Sequence, residues 1–165
     1  METLQLADHD LTPDDLPDVV WPRHEILDGS LVVNAVPISR HQRVVDEIVW
    51  GVRALAPAGY VPVAGAGLYR EPGPGSPVRY PVPDVSVLPR EAANSEIRYH
   101  DPRSALLVVE VLSPSTEHVD RGWKLHAYRE MGVPAYWIVD RGTLEIEHYL
   151  WSAHGLSLPS FRIEL

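Results

Sequence analysis

Residues 105–140 read ALLVVEVLSPSTEHVDRGWKLHAYREMGVPAYWIVD, and they hold a strand, a turn, a helix and a second strand in that order. The run Ala105–Leu112 is almost continuously apolar and rich in branched side chains, the pattern of a strand covered on both faces. SPST is turn chemistry. Thr116 or Ser115 can cap a helix over roughly 116–131, and Gly132 with Pro134 ends it. AYWIVD is a second buried strand. Within the helix sits Lys124, the only lysine of the chain beside thirteen arginines.

Outward from this unit the periods alternate. Two β-rich runs flank Asp28-Gly29-Ser30, a strong hairpin signal. After Pro37 the apolar residues Val44, Val45, Ile48, Val52 and Leu55 recur at helical steps, with Ser39 as candidate N-cap and Ala58-Gly59 as the stop. Residues 60–89 read as strands broken by turns, with an exposed Pro/Gly cluster at 72–77 and a short strand in PDVSVL. Residues 89–104 are polar and read as a loop, while LEIEHYLW alternates like an edge strand. The order predicts an α/β (α+β) fold, a mixed central sheet flanked by helices. It forms one domain over 21–165, after an acidic, loosely ordered arm over 1–20 with room for one helical turn.

Composition narrows the chemistry. The 165 residues include no cysteine, which removes disulfides, thiolate nucleophiles and thiolate metal sites. METLQLADHDLTPDDLP lacks the basic and apolar parts of a signal peptide. No apolar run approaches the ~20 residues of a membrane span. A soluble, cytoplasmic protein with no membrane partner is expected. The net charge is −9, of which residues 1–20 hold −6 and the remainder −3. That balance disfavours simple electrostatic adhesion to nucleic acid. A local basic groove is still open to Arg40, Arg43, Arg70, Arg79, Arg98 and Arg103.

Three residues carry chemistry. Strand alternation places Leu106, Val108, Glu110 and Leu112 on one face, so a carboxylate points into an apolar layer and needs a cation, a metal or several donors. Asp84 opens the PDVSVL strand on the face of Ser86. If the two strands are neighbours, Asp84 and Glu110 converge, and paired carboxylates favour a hard divalent cation. Asp120, Lys124 and Tyr128 share one helix face, which the SPST turn can fold back toward Glu110. A lysine beside such a metal suits phosphodiester hydrolysis, where it orients water or stabilises developing charge. Each residue also has a plain structural reading. Asp84 can cap a turn, Glu110 can pair with a core arginine, and Lys124 can pair with Asp120 on a solvated helix face.

The segments PVPDVSVLP, LLVVEVLSPSTEHVDRGWKLHAYREMGVPAYWIVD and HEILDGSLVV…SRHQRVV resemble the Uma2 family, also described as DUF820, over roughly residues 21–140. The resemblance implies a PD-(D/E)XK restriction-endonuclease-like fold and a metal-dependent endonuclease acting on nucleic acid, with DNA the expected polymer. It implies Asp84 and Glu110 as ligands of Mg2+ or Mn2+, the Val111 carbonyl as a further ligand, and Lys124 as a motif lysine moved onto the helix. His41 and Glu25 match family positions, and Asp120 and Tyr128 are supporting residues. The chain departs from the standard motif at Leu112, where those enzymes carry lysine. The competing reading is a nuclease-like scaffold that no longer cleaves, a nucleic-acid-binding or protein-interaction module able to form a homodimer.

Overall fold

The computed structural model describes residues 10–165. Its centre is a five-stranded sheet in the order β3 (Tyr60–Ala64), β5 (Val85–Pro89), β7 (Leu107–Val111), β8 (Ala135–Val139) and β9 (Ile146–Leu150). The first two strands, β1 (Arg23–Leu27) and β2 (Ser30–Asn34), lie outside it as a hairpin. Asp28 and Gly29 form the two-residue turn with φ of 49° and 82°, which explains the Asp-Gly choice. Next come α1 (Ser39–Leu55), β3 (Tyr60–Ala64) and the short β4 (Gly67–Leu68). The strand β5 (Val85–Pro89) runs antiparallel to both β3 and β7 (Leu107–Val111). Between β5 and β7 the predicted loop holds a helical turn, α2 (Arg90–Ala93), and β6 (Tyr99–His100), which pairs in parallel with β4. That pairing buries His100 and closes a segment that its polar composition disguised.

The decisive unit forms as its residues dictate. All five residues of β7 are buried, and β7 pairs in parallel with β8 (Ala135–Val139), bringing Glu110 opposite Ile138. One face, with Val109, Val111, Trp137 and Val139, packs on α1 through Val44, Val45, Ile48 and Val52. Each such aliphatic side chain stabilises the fold by about 1.5–3 kcal/mol when fully buried. The other face, with Val108, Leu112, Tyr136 and Ile138, packs on Tyr128. Leu106, predicted on the Glu110 face, instead packs with the α1 side, because it precedes the regular strand. The edge strand β9 (Ile146–Leu150) pairs antiparallel with β8.

The helix after SPST is not uniform. It runs as α3 (Glu117–Val119), a π-helical turn over Asp120–Lys124, then α4 (Leu125–Glu130). Its end is a Schellman motif: Gly132 has φ 85°, Val133 N–H bonds Tyr128 O at 3.0 Å, and Gly132 N–H bonds Arg129 O at 3.1 Å. Ser39 is the first residue of α1 rather than its cap, Ala56 ends that helix, and Leu55 is 51% exposed. In the acidic segment, Pro13–Asp15 makes one 3-10 turn and Leu16 is buried against Ile26, Tyr69 and Tyr80. Residues 1–9 of the predicted arm lie outside the described residues. No helix among the described residues is long and apolar enough to cross a membrane.

Candidate active site

The antiparallel pairing of β5 with β7 decides where the carboxylates meet. Val85 lies opposite Val109, so Asp84, just before β5, lies beside the end of β7. Asp84 Oδ2 accepts the Val111 N–H at 2.8 Å. His41, buried in the first turn of α1, lies with Nε2 3.0 Å from the Val111 carbonyl and 3.3 Å from Asp84 Oδ2. Two β1 residues, Arg23 and Glu25, project from one face of the hairpin into the same place. Arg23 Nη1 donates to Asp84 Oδ1 at 2.9 Å and to the Val82 carbonyl at 3.0 Å.

Lys124 is buried and solves the problem of Glu110. Its Nζ donates to Glu110 Oε1 at 2.7 Å and lies 3.1 Å from Glu25 Oε1 and 3.7 Å from Asp120 Oδ1. Tyr128 O–H donates to the same Glu110 oxygen at 2.6 Å. The solvated-face reading of Lys124 is therefore overturned, and a compact ammonium suits a position touching three carboxylates better than a planar guanidinium fork would. The core-arginine reading of Glu110 is also overturned: the arginine pairs with Asp84. Glu25, whose role the sequence left unassigned, ties three parts together. It accepts Asn34 Nδ2 at 2.6 Å from β2 and the Val82 N–H at 2.7 Å from the segment leading to Asp84, besides facing Lys124.

Arg23, Glu25, His41, Asp84, Glu110, Val111, Asp120 and Lys124 line one pocket of about 430 Å³, with Tyr128 buried behind Glu110. Its electrostatics are uneven. Burial raises Asp84, but the His41 hydrogen bond, Arg23 and the Val111 N–H outweigh it and hold the carboxyl at about 2. Burial pushes Glu110 up, against Lys124 and with Asp120, Asp84 and Glu25, to about 8. Burial also raises Asp120. For Lys124 burial pulls downward, yet Glu110, Glu25 and Asp120 together raise it above its ordinary value. It is a fixed cation, not a group ready to shed its proton.

The structure thus brings together Asp84, Glu110, Lys124, Val111, His41, Glu25, Asp120 and Tyr128. Sequence reading missed Arg23, Asn34 and Trp21, although Arg23 two residues before Glu25 on a strand was a legible signal. The arginines proposed for a basic groove, Arg40, Arg43, Arg70, Arg79, Arg98 and Arg103, do not line the carboxylate pocket. Arg79 pairs with Asp28 and Glu130, Arg103 with Asp101, and Arg98 donates to the Leu16 and Pro17 carbonyls. Arg70 lines a separate small cavity with Arg79, Glu71 and Glu130. Arg40 alone among them is seen tied to a pocket residue, donating to the Arg141 carbonyl at 2.9 Å.

Residues 13–161 match the profile of the family described as "Uma2: Putative restriction endonuclease". This chain belongs to the Uma2 family. Among solved structures, this Uma2 chain is similar to one described as "Crystal structure of a putative nuclease belonging to DUF820 from Anabaena variabilis ATCC 29413", with a TM-score of 0.62 at 18% identity. The match covers 92% of this chain and 91% of that one, and at such identity it establishes a shared fold. No curated protein matches the Uma2 chain.

Among the described residues, no three His, Asp or Glu side chains converge as a ready-made cation cage. The donor atoms nonetheless suit a hard cation. Asp84, Glu110 and the Val111 carbonyl offer oxygen alone and line the same pocket. Asp84 is at present satisfied by Arg23, His41 and Val111.

Proposed function

We propose that this Uma2 chain is a divalent-metal-dependent endonuclease that hydrolyses nucleic-acid phosphodiesters, with DNA as its polymer. One observation carries the reading. The pocket gathers four carboxylates, Glu25, Asp84, Glu110 and Asp120, against three permanent cations, Arg23, Lys124 and the partly exposed Arg141. The carboxylates outnumber the cations, and a buried surplus of negative charge calls for a divalent cation or for protons. Asp84, Glu110 and the Val111 carbonyl would hold Mg2+ or Mn2+. Such an ion, when bound, supplies Lewis acidity toward a phosphoryl oxygen and a bound water of lowered pKa.

The chain's own residues do the rest. Lys124 holds a fixed positive charge where negative charge grows on the phosphoryl group, and Glu25 and Asp120 fix its position. Tyr128 and Lys124 orient Glu110 through a single oxygen, Oε1. His41 bridges the Val111 carbonyl and Asp84, keeping two candidate ligands in fixed relation. Asp84 Oδ1 carries a single donor, Arg23, so a cation approaching that oxygen meets the Arg23 charge first. Arg23, the most exposed of its partners, is the one placed to leave and then to face the substrate phosphate. Arg23→Met should therefore bind Mn2+ several-fold more tightly in calorimetry, while Arg141→Met, which removes a pocket charge without freeing Asp84, should change it less.

The governing test is Mn2+ and Mg2+ titration of wild type and Asp84→Asn, with plasmid and oligonucleotide cleavage in parallel. Saturable binding and cleavage in the wild type, both lost in the variant, are expected. Absence of both in the wild type at millimolar metal would end this reading and leave a non-cleaving module.

A further inference from the structure

The polar floor accounts for only half of the pocket. The facing wall is apolar and comes from the hairpin and the link to α1: Trp21, Leu27, Val32, Val36, Pro37 and Ile38. Register explains it. Arg23, Glu25 and Leu27 alternate onto one face of β1, and their partners Asn34 and Val32 lie on the same face of β2. Leu27 and Val32 thus continue the surface that begins with Arg23 and Glu25. Trp21 and Val36 flank the open end of the hairpin, where Arg23 pairs with Asn34. Val36 and Ile38 remain 66% and 56% exposed at the rim, so this apolar surface is open rather than part of a packed core. The Arg23 guanidinium lies 4.7 Å from the centre of the Trp21 ring, which joins the apolar wall to the charged floor.

We infer that this wall receives a nucleobase, so that the pocket takes an unpaired nucleotide of a single-stranded segment rather than intact duplex. The inference rests on the nuclease reading above and adds its substrate class. Three observations carry it. Asp84 and Glu110 are buried at the floor of a pocket of about 430 Å³, within the range of small-ligand sites. A nucleotide out of its stack sets its base against the apolar wall while its phosphate reaches that floor. The other wall is apolar and carries the Trp21 ring, which suits a base and not a phosphate backbone. Duplex binding draws on many Lys and Arg contacts with phosphates, whereas the arginines Arg79, Arg98, Arg103 and Arg121 are engaged within the chain. Arg141 in the pocket, with Arg23 once it leaves Asp84, is enough for the one or two phosphates that flank an unpaired base.

The test is fluorescence anisotropy in Ca2+ or chelator, using the full chain. The probes are a short labelled oligothymidylate, a blunt duplex, and the same duplex with a single-stranded tail. The single strand and the tailed duplex should bind about tenfold more tightly than the blunt duplex. Trp21→Ala should weaken single-strand binding about tenfold, and Trp21→Phe should restore most of it. Val36→Asp, at an exposed position, should weaken it as well without altering the melting temperature. Equal or tighter binding of blunt duplex, or wild-type affinity in Trp21→Ala, would overturn the inference. So would a Val36→Asp variant that lost self-association while keeping its oligonucleotide affinity, since the wall would then belong to a second copy. Efficient cleavage of blunt duplex alone would sink the substrate class and leave the nuclease standing. No binding and no cleavage of any probe would remove both.

Discussion

Lys124→Met should cost the fold about 3–5 kcal/mol, the usual penalty for leaving buried charge without its partner. Lys124 contacts Glu110, Glu25 and Asp120, and among the described residues no other Lys or Arg lies within ion-pair distance of those three. Methionine replaces the aliphatic stem but leaves three carboxylates facing one another across a low-dielectric floor. For a domain of this size the melting temperature should fall by roughly 10 °C or more. Lys124→Arg should recover part of the stability and little of the activity, because the fork cannot place one compact charge against three acceptors. Thermal melts of the three proteins in chelator decide the matter. A Lys124→Met protein as stable as the wild type would mean that the cluster is solvated and that its charge surplus is not a driving force.

Glu110→Gln should have the opposite signature. The amide oxygen can still accept from Lys124 and Tyr128, and one surplus charge is gone. Stability in metal-free buffer at neutral pH should rise by about 1–3 kcal/mol. The pH dependence has a defined sign. Burial and the neighbouring carboxylates raise Glu110 from 4.5 in the unfolded chain to about 8 in the fold. Its contribution to stability is thus complete below about 4.5 and is lost as pH rises toward 8. The advantage of Glu110→Gln should vanish near the lower value and be largest near the upper one. Nuclease activity should fall on the order of a thousandfold, since a candidate metal ligand is lost. Denaturant melts of both proteins across that pH range, read beside a cleavage assay, test the pair of effects. A variant that is less stable at every pH would make Glu110 an ordinary member of the packed core.

Why so much of this site could be read from the chain is a matter of contrast. Glu110 stood out because β7 is otherwise apolar, and Lys124 because it has no companions in the sequence. Asp84 could be paired with Glu110 once their strands were taken as neighbours, which the β5–β7 register bears out. Hairpin, helix and strand signals likewise located β1, β2, α1, β7 and β8. Arg23 escaped notice because arginine is common in this chain and its partner lies 61 residues away. The π turn escaped because helical spacing of Asp120, Lys124 and Tyr128 reads the same whether or not one residue is looped out. The short pairing of β4 with β6 was hidden by polar residues whose burial is set by tertiary packing alone.

The π turn at Asp120–Lys124 also bears on how such a chain can change length. A π turn carries one residue more than the α-turn it replaces, and each residue of a helix advances its phase by about 100°. The segment behaves as an insertion that was kept, with Tyr136 O–H holding the Asp120 carbonyl inside it at 3.1 Å. Loss of a single codon here would straighten the helix and turn either Asp120 or Lys124 with Tyr128 away from the floor. The Schellman stop at Gly132 would then meet β8 out of phase. Codon gains and losses among relatives should therefore collect in the Pro/Gly cluster at 72–77 and stay out of 117–132, where length itself is part of the site.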